Sequence, residues 1–357
     1  MKVLFIDDDP ASIKPAMEKL IENNFSCRTT NFSEHKKTLE NYKPDIIILD
    51  MMEGTPANDP EGKAGKEYFK SIWNIHFCPL VVYSADPTLM TETHPLVATV
   101  KKGKDSEIRL LGEANKLRPI AEGMVAISTE INSTLRKTLR DVAPYVYECK
   151  DIENQEKTIQ YLGRRRIAAL LDTKPDKDQS LHPIEQYILP PISISPETGD
   201  LIRHIIENSN KPESYLLIVT PSCDLVAESG RKPKVDKVLC AHCESNEILW
   251  QKGGIKKEKD SLISFLSVGF KECYCFIPGI PNKIPSMVAN MKNLELIPFE
   301  NIVNLIDVKE DNTKKYIRVA SIDSPFRENI SWAYMNTACR PGMPDRNRDI
   351  WAKQILG

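Results

Sequence analysis

Four short apolar runs in the first hundred residues each end on a residue that can carry or bind charge. Val3 to Ile6 ends on Asp7, Asp8 and Asp9, Ile46 to Leu49 on Asp50, Leu80 to Tyr83 on Ser84, and Val97 to Val100 on Lys101 and Lys102. Amphipathic stretches separate them. Between Pro10 and Asn23, Ile13, Met17, Leu20 and Ile21 recur at helical spacing, Glu34 to Asn41 and Lys66 to Ile72 read as further helices, and Ser26 to Thr30 reads as another strand. Strands that alternate with helices in this way imply a parallel sheet covered on both faces. The expected first domain is therefore α/β, a doubly wound parallel sheet, and the carboxyl ends of its strands share one edge, where ligands bind in such folds.

That edge would bring together acids, a hydroxyl and a lysine. Phosphoryl transfer to a carboxylate needs these parts: one acid to accept the group, others to hold a divalent cation, and a hydroxyl and an ammonium to bind the phosphoryl oxygens. Catalysis of this kind is mostly positioning and charge neutralisation. Neighbouring carboxylates repel one another unless a cation joins them, and an all-oxygen set suits Mg²⁺.

The segments VLFIDDDP, IIILDM, VVYSA and VKKGKD resemble the four signature segments of bacterial response-regulator receiver domains, over residues 1–120. The resemblance implies a flavodoxin-like fold and a phosphoprotein of two-component signalling, served by a histidine kinase or phosphotransfer protein. It implies phosphorylation of Asp50, Mg²⁺ held by Asp7, Asp8, Asp50 and the backbone carbonyl of Met52, and a phosphoryl group bound by Ser84 and Lys102. Lys101 is the alternative lysine, although matching KGKDSE to the family's usual KPFDPE selects Lys102. Three departures touch the output face. The loop after Asp50 is long and lacks the usual proline, Gly103 follows the lysine, and no aromatic residue precedes it where the family's switch residue sits. A pseudo-receiver that uses the fold only as a non-switching binding scaffold is the competing reading.

At 357 residues the chain is too long for one ordinary domain. Ile120, Val125, Ile127, Ile131, Leu135 and Leu139 fall at helical intervals and imply a helical connector over 121–182. Residues 183–357 read as a β-rich effector or interaction domain, a barrel or sandwich. Its expected strands are Tyr215 to Thr220, Lys237 to Cys240, Leu262 to Phe265, Cys273 to Ile277 and Tyr316 to Val319, closed by a helix from Phe326 to Ala338. Cys223, Cys240, His242 and Cys243 are candidates for a thiol or Zn²⁺ cluster, but their spacing fits no common finger, and packed thiols are the other reading. Cys223 as a nucleophile, with His182, His204 or His242 as base, would make the chain a receiver-regulated enzyme.

The segments VTPSCDLV and RVASIDSPFRENISWAYMNTACRPGMPD also resemble uncharacterised bacterial proteins, some linked to phage-defence gene neighbourhoods. There is no helix-turn-helix signature, phosphate loop or HExxH, so the expected output is binding of another protein. A net charge of -2 gives no reason to expect nucleic acid. No apolar run is long enough to cross a bilayer, and the three acids at positions 7 to 9 interrupt any secretory apolar stretch, so a cytoplasmic location is expected.

Overall fold

Three of the four apolar runs become strands shielded on both faces. The computed structural model describes residues 1–52, 63–91, 93–149, 153–172, 180–228, 230–304, 315–339 and 347–357. The chain divides into two units, Met1–Lys177 and Asp178–Gly357.

The first unit runs β1 (Lys2–Ile6), α1 (Pro10–Glu22), β2 (Ser26–Thr30), α2 (His35–Tyr42), β3 (Ile46–Leu49), α3 (Lys63–Ile75), β4 (Leu80–Ser84), β5 (Val97–Lys101), α4 (Ser106–Glu148) and α5 (Gln155–Leu171). Its five strands are all parallel, in the order β2-β1-β3-β4-β5. This is the flavodoxin-like doubly wound order. Side chains alternate across β1 as the pleat requires. Val3 and Phe5 join Ile13, Leu20, Leu110 and Leu117 under α1 and α4. Leu4 and Ile6 join Leu39, Phe69 and Ile72 under α2 and α3. Each such side chain contributes roughly 1.5–3 kcal/mol through burial, and Phe5→Ala would cost about 3–5 kcal/mol.

Helix α4 spans 43 residues without a break. Its first half presses Leu110, Ala114, Leu117 and Ala121 into the core of the first unit, and its far end packs against α5. The two helices are tied by Arg166 to Asp141 at 2.8 Å and by Gln155 Nε2 donating to the carbonyl of Val146. Residue 120, where sequence separates receiver from connector, therefore lies inside one continuous helix. Neither Pro119 nor Pro144 ends it.

The second unit contains β6 (Tyr187–Ile188), β7 (Asp200–His204), β8 (Tyr215–Ile218), α6 (Ser222–Leu225), β9 (Lys237–Ser245), α7 (Ile248–Gln251), α8 (Lys259–Val268), β10 (Phe270–Lys271), β11 (Tyr274–Ile277), β12 (Met287–Pro298), β13 (Ile302–Asn304), β14 (Tyr316–Ile322), α9 (Phe326–Ala338) and α10 (Arg348–Leu356). Nine strands form one sheet in the order β10-β11-β12-β9-β8-β7-β14-β13, with β6 also on β14. All pairs are antiparallel except β13 with β14. The unit is β-rich, but the sheet is an open path. Its edge strands β10 and β13 do not pair with each other among the described residues, and its register shifts within β12 and within β14. Residues Leu262 to Phe265, expected as a strand, lie in α8. Leu262 and Phe265, three apart, reach the core from one helix face, and Gly269 at φ 83° closes the helix in the left-handed conformation.

Candidate functional site

The carboxyl edge of the first sheet collects the residues that end its strands. Asp7 follows β1, Asp50 follows β3, Ser84 ends β4, and Lys102 follows β5. The Lys102 ammonium lies between the two acids, donating to Asp7 Oδ2 at 2.7 Å and to Asp50 Oδ2 at 2.6 Å. It also reaches Ser12 Oγ at 3.3 Å, in the first turn of α1. Asp50 Oδ1 accepts the backbone N–H groups of Met51 and Met52 at 2.6 and 3.3 Å. Asp7 Oδ1 accepts the N–H of Asp9, whose own carboxylate caps α1 through Ala11 and Ser12.

Burial raises the Asp7 pKa above its ordinary 3.8 against the pull of the Lys102 hydrogen bond, and the Asp50 charge adds to the rise. For Lys102, burial alone would favour the neutral amine. Its hydrogen bonds to Asp50 and Asp7 outweigh that cost and hold the ammonium above its ordinary 10.5. The lysine carries its charge because two carboxylates surround it.

Ser84 Oγ is buried at the same edge and has no hydrogen-bond partner among the described residues. An unmatched buried hydroxyl costs about 1–3 kcal/mol and calls for a partner. Asp8 is exposed beside Asp7, and Met52 is buried just before residues 53–62, which lie outside the described part of the chain. Lys101 is exposed, and its carbonyl accepts Arg109 Nη2 at 3.0 Å. Alternation along β5 sends consecutive side chains to opposite sides, so of the two lysines only Lys102 reaches the acids.

Sequence reasoning missed three participants, namely Ser12, Asp9 and Tyr83. The Tyr83 ring lies 5.6 Å from the Lys102 ammonium, and its hydroxyl shares a 2.7 Å hydrogen bond with Ser106 Oγ, in the first turn of α4. The family's switch aromatic is sought just before the lysine on β5, whereas here an aromatic reaches the lysine from β4.

The structure does not bring the cysteine candidates together. Cys240 lies in the apolar cluster on one face of the second sheet and Cys243 in the cluster on the other. His242 instead faces Glu295 at 3.1 Å. Burial raises the thiol pKa of both cysteines, and that of Cys275 to about 12. Cys223, expected as a packed thiol at a strand end, is exposed in α6. Among the described residues no group of three or more His, Cys, Asp and Glu is arranged to hold a metal ion, Asp7, Asp8 and Asp50 included. An Mg²⁺ at this edge would draw most of its ligands from water and a bound anion.

No family model and no curated protein matches the chain. Among solved structures it is similar to the N-terminal domain of a response regulator/sensory box/GGDEF three-domain protein from Carboxydothermus hydrogenoformans, at 17% identity and TM-score 0.28, over 35% of this chain and 99% of that one. It is also similar to a response regulator from Desulfuromonas acetoxidans, at 13% identity and TM-score 0.27, over 33% and 97%. Both likenesses are confined to about a third of the chain. At these scores they carry no argument about its chemistry, which rests on the edge geometry. No helix among the described residues is long and apolar enough to cross a membrane.

Proposed function

We propose that the first unit is a receiver that takes a phosphoryl group on Asp50 and signals through it to a binding module formed by the second unit. The observation that carries this reading is the Lys102 ammonium held between Asp7 and Asp50 beside an unmatched Ser84 hydroxyl. The carboxylates of Asp7, Asp8 and Asp50 and the Met52 carbonyl would hold Mg²⁺, which when bound neutralises charge on the phosphoryl oxygens.

Asp50 Oδ1 is anchored by two backbone N–H groups, which leaves Oδ2 as the attacking oxygen. Its lone pair forms the new O–P bond while the P–N bond of a phosphohistidine, or the P–O bond of a small phosphodonor, breaks. The electron pair leaves with the donor. Lys102 exchanges Asp50 Oδ2 for a phosphoryl oxygen, and Ser84 Oγ acquires the acceptor it lacks. Because the Tyr83 ring adjoins Lys102 and its hydroxyl holds Ser106, movement of the lysine is felt at the start of α4.

Incubation with acetyl phosphate, followed by intact mass with and without Mg²⁺, tests the reading. The expected result is a metal-dependent gain of one phosphoryl group, lost in Asp50→Asn. A gain that survives Asp50→Asn would place the phosphate elsewhere, and no gain in the wild-type chain would favour the non-switching scaffold.

A further inference from the structure

Three lysines line one hollow at the β10 edge of the second sheet. The hollow, about 360 Å³, is walled by the loop after α7, by the turn between β10 and β11, and by β12, and its lining includes Lys252, Lys271 and Lys292. A second hollow of about 310 Å³ shares Glu272 and Lys292 with it and extends to Asn336 and Thr337 of α9. Space of this size suits a small ligand.

The backbone sets each lysine in place. Residue 253 must be glycine, because a Cβ there would stand 2.7 Å from the Leu249 carbonyl oxygen, and Gly254 continues the turn at φ 62° in the left-handed region. The Gly254 carbonyl accepts Lys271 Nζ at 2.9 Å, which joins the loop to β10. Lys292 lies within the register shift of β12, where the residues between Asn290 and Leu294 have no partner on β9. Irregularities of this kind re-aim side chains and recur beside binding sites. Asn290 holds this one, its Oδ1 accepting the Lys292 N–H at 3.0 Å and its Nδ2 donating to Glu244 Oε1 at 2.7 Å.

The charges are left unmatched. Lys271 donates to a carbonyl, and neither Lys252 nor Lys292 forms an ion pair among the described residues. Glu272 is the one acid of the two linings, which leaves two positive charges in excess in a chain whose net charge is -2. We infer that this hollow binds a small polyphosphate, a di- or triphosphate either inorganic or carried by a nucleoside. Lysine ammonium groups act as point charges that suit phosphate oxygens, and three of them call for an anion with several charges. No arginine fork lines the site to select a planar carboxylate. The inference does not depend on phosphorylation of Asp50.

Calorimetric titration of the full chain tests it, with Asp50→Asn and a chelator silencing the other unit. The probes are phosphate, pyrophosphate, tripolyphosphate and ATP. Affinity should rise with charge from phosphate to tripolyphosphate. It should fall at least about fivefold in Lys252→Ala and in Lys292→Ala, the scale of one solvent-screened charge contact. Lys292→Arg should keep most of it, and Lys283→Ala, an exposed lysine elsewhere in the unit, should change nothing. All these side chains are exposed, so circular dichroism should not move. ATP tighter than tripolyphosphate would identify the nucleoside form, and the reverse order the inorganic one. No heat from tripolyphosphate up to about 5 mM, or an affinity unmoved by both alanines, overturns the inference. Equal weakening in Lys283→Ala overturns it in favour of diffuse attraction. Binding of a single-stranded oligonucleotide without binding of tripolyphosphate overturns it in favour of a nucleic-acid backbone.

Discussion

Each unit buries a cation against aspartate, and the two arrangements differ in what they leave unfinished. In the second unit Arg318 and Asp200 are both fully enclosed, 2.7 Å apart. Arg318 also donates to the Ser193 carbonyl, Ser193 Oγ and Asn304 Oδ1. Asp200 accepts from Ser321 Oγ and the Glu197 backbone. The network is closed, and it ties the segment around Ser193 to the sheet. In the first unit one lysine serves two carboxylates, a third acid stands beside them, and a buried hydroxyl has no partner. A closed network stabilises what is already present, whereas an open one with excess negative charge is arranged for something that arrives.

The largest effect should come from breaking the closed network. Arg318→Ala leaves Asp200 buried without its cation and should cost about 3–5 kcal/mol, read as a lowered urea midpoint for the second unit. Asp200 already has a pKa raised by burial against the pull of Arg318. A first unit that unfolded at the same loss would mean that the two networks are not separate.

Lys102→Met should cost less, about 1–3 kcal/mol in the presence of a chelator, because its two acids stand at an edge that solvent and ions can reach. Added Mg²⁺ should return most of that loss. A variant as damaged as Arg318→Ala, and deaf to Mg²⁺, would remove the contrast between the two sites.

The pH dependence of Mg²⁺ binding sharpens it further. Mg²⁺ at the proposed site would require ionised Asp7, whose folded pKa is raised above 3.8 by burial, so protons would compete from a higher pH than at an ordinary aspartate. As pH falls, affinity should begin to drop above 3.8 and then fall by at most about tenfold per unit for this one group. Titration calorimetry across that range would show it, and affinity flat down to 3.8 would count against Asp7 as a ligand.

The smallest effects separate two buried serines. Ser321→Ala withdraws a donor from Asp200 and should cost about 1–2 kcal/mol. Ser84→Ala removes a buried hydroxyl that has no partner among the described residues and should raise stability by about 1 kcal/mol, the low end of the cost of leaving it unmatched. Equal losses in the two variants would mean that Ser84 is bonded after all.

The edge was legible in the sequence because strand ends are local facts. An apolar run and the residue after it are neighbours in the chain, and a parallel sheet carries each such end to the same side. The choice of Lys102 over Lys101 came from matching KGKDSE to the family's usual KPFDPE, and it is Lys102 whose ammonium reaches Asp7 and Asp50. Tyr83 was not legible as a neighbour of the lysine, since that contact joins different strands across the sheet. The Arg318–Asp200 pair spans 118 residues, and no local pattern announces such a partner. Strands β7 and β12 were missed for a related reason: β12 changes register between Asn290 and Leu294, which spoils the alternation that marks a strand. In α8 a short apolar run was compatible with either period, and its three-residue spacing onto the core decided for helix.

The unbroken run of α4 has a mechanical consequence. At 1.5 Å per residue its 43 residues extend about 64 Å. Its first half is held in the core as far as Ala121, so the arm beyond is about 27 residues or about 40 Å, and a tilt of about 3° about that point displaces its far end by about 2 Å, more than half the reach of a hydrogen bond. The 2.7 Å bond from Tyr83 to Ser106 thus grips the short arm of a lever, while α5 is carried on the long one.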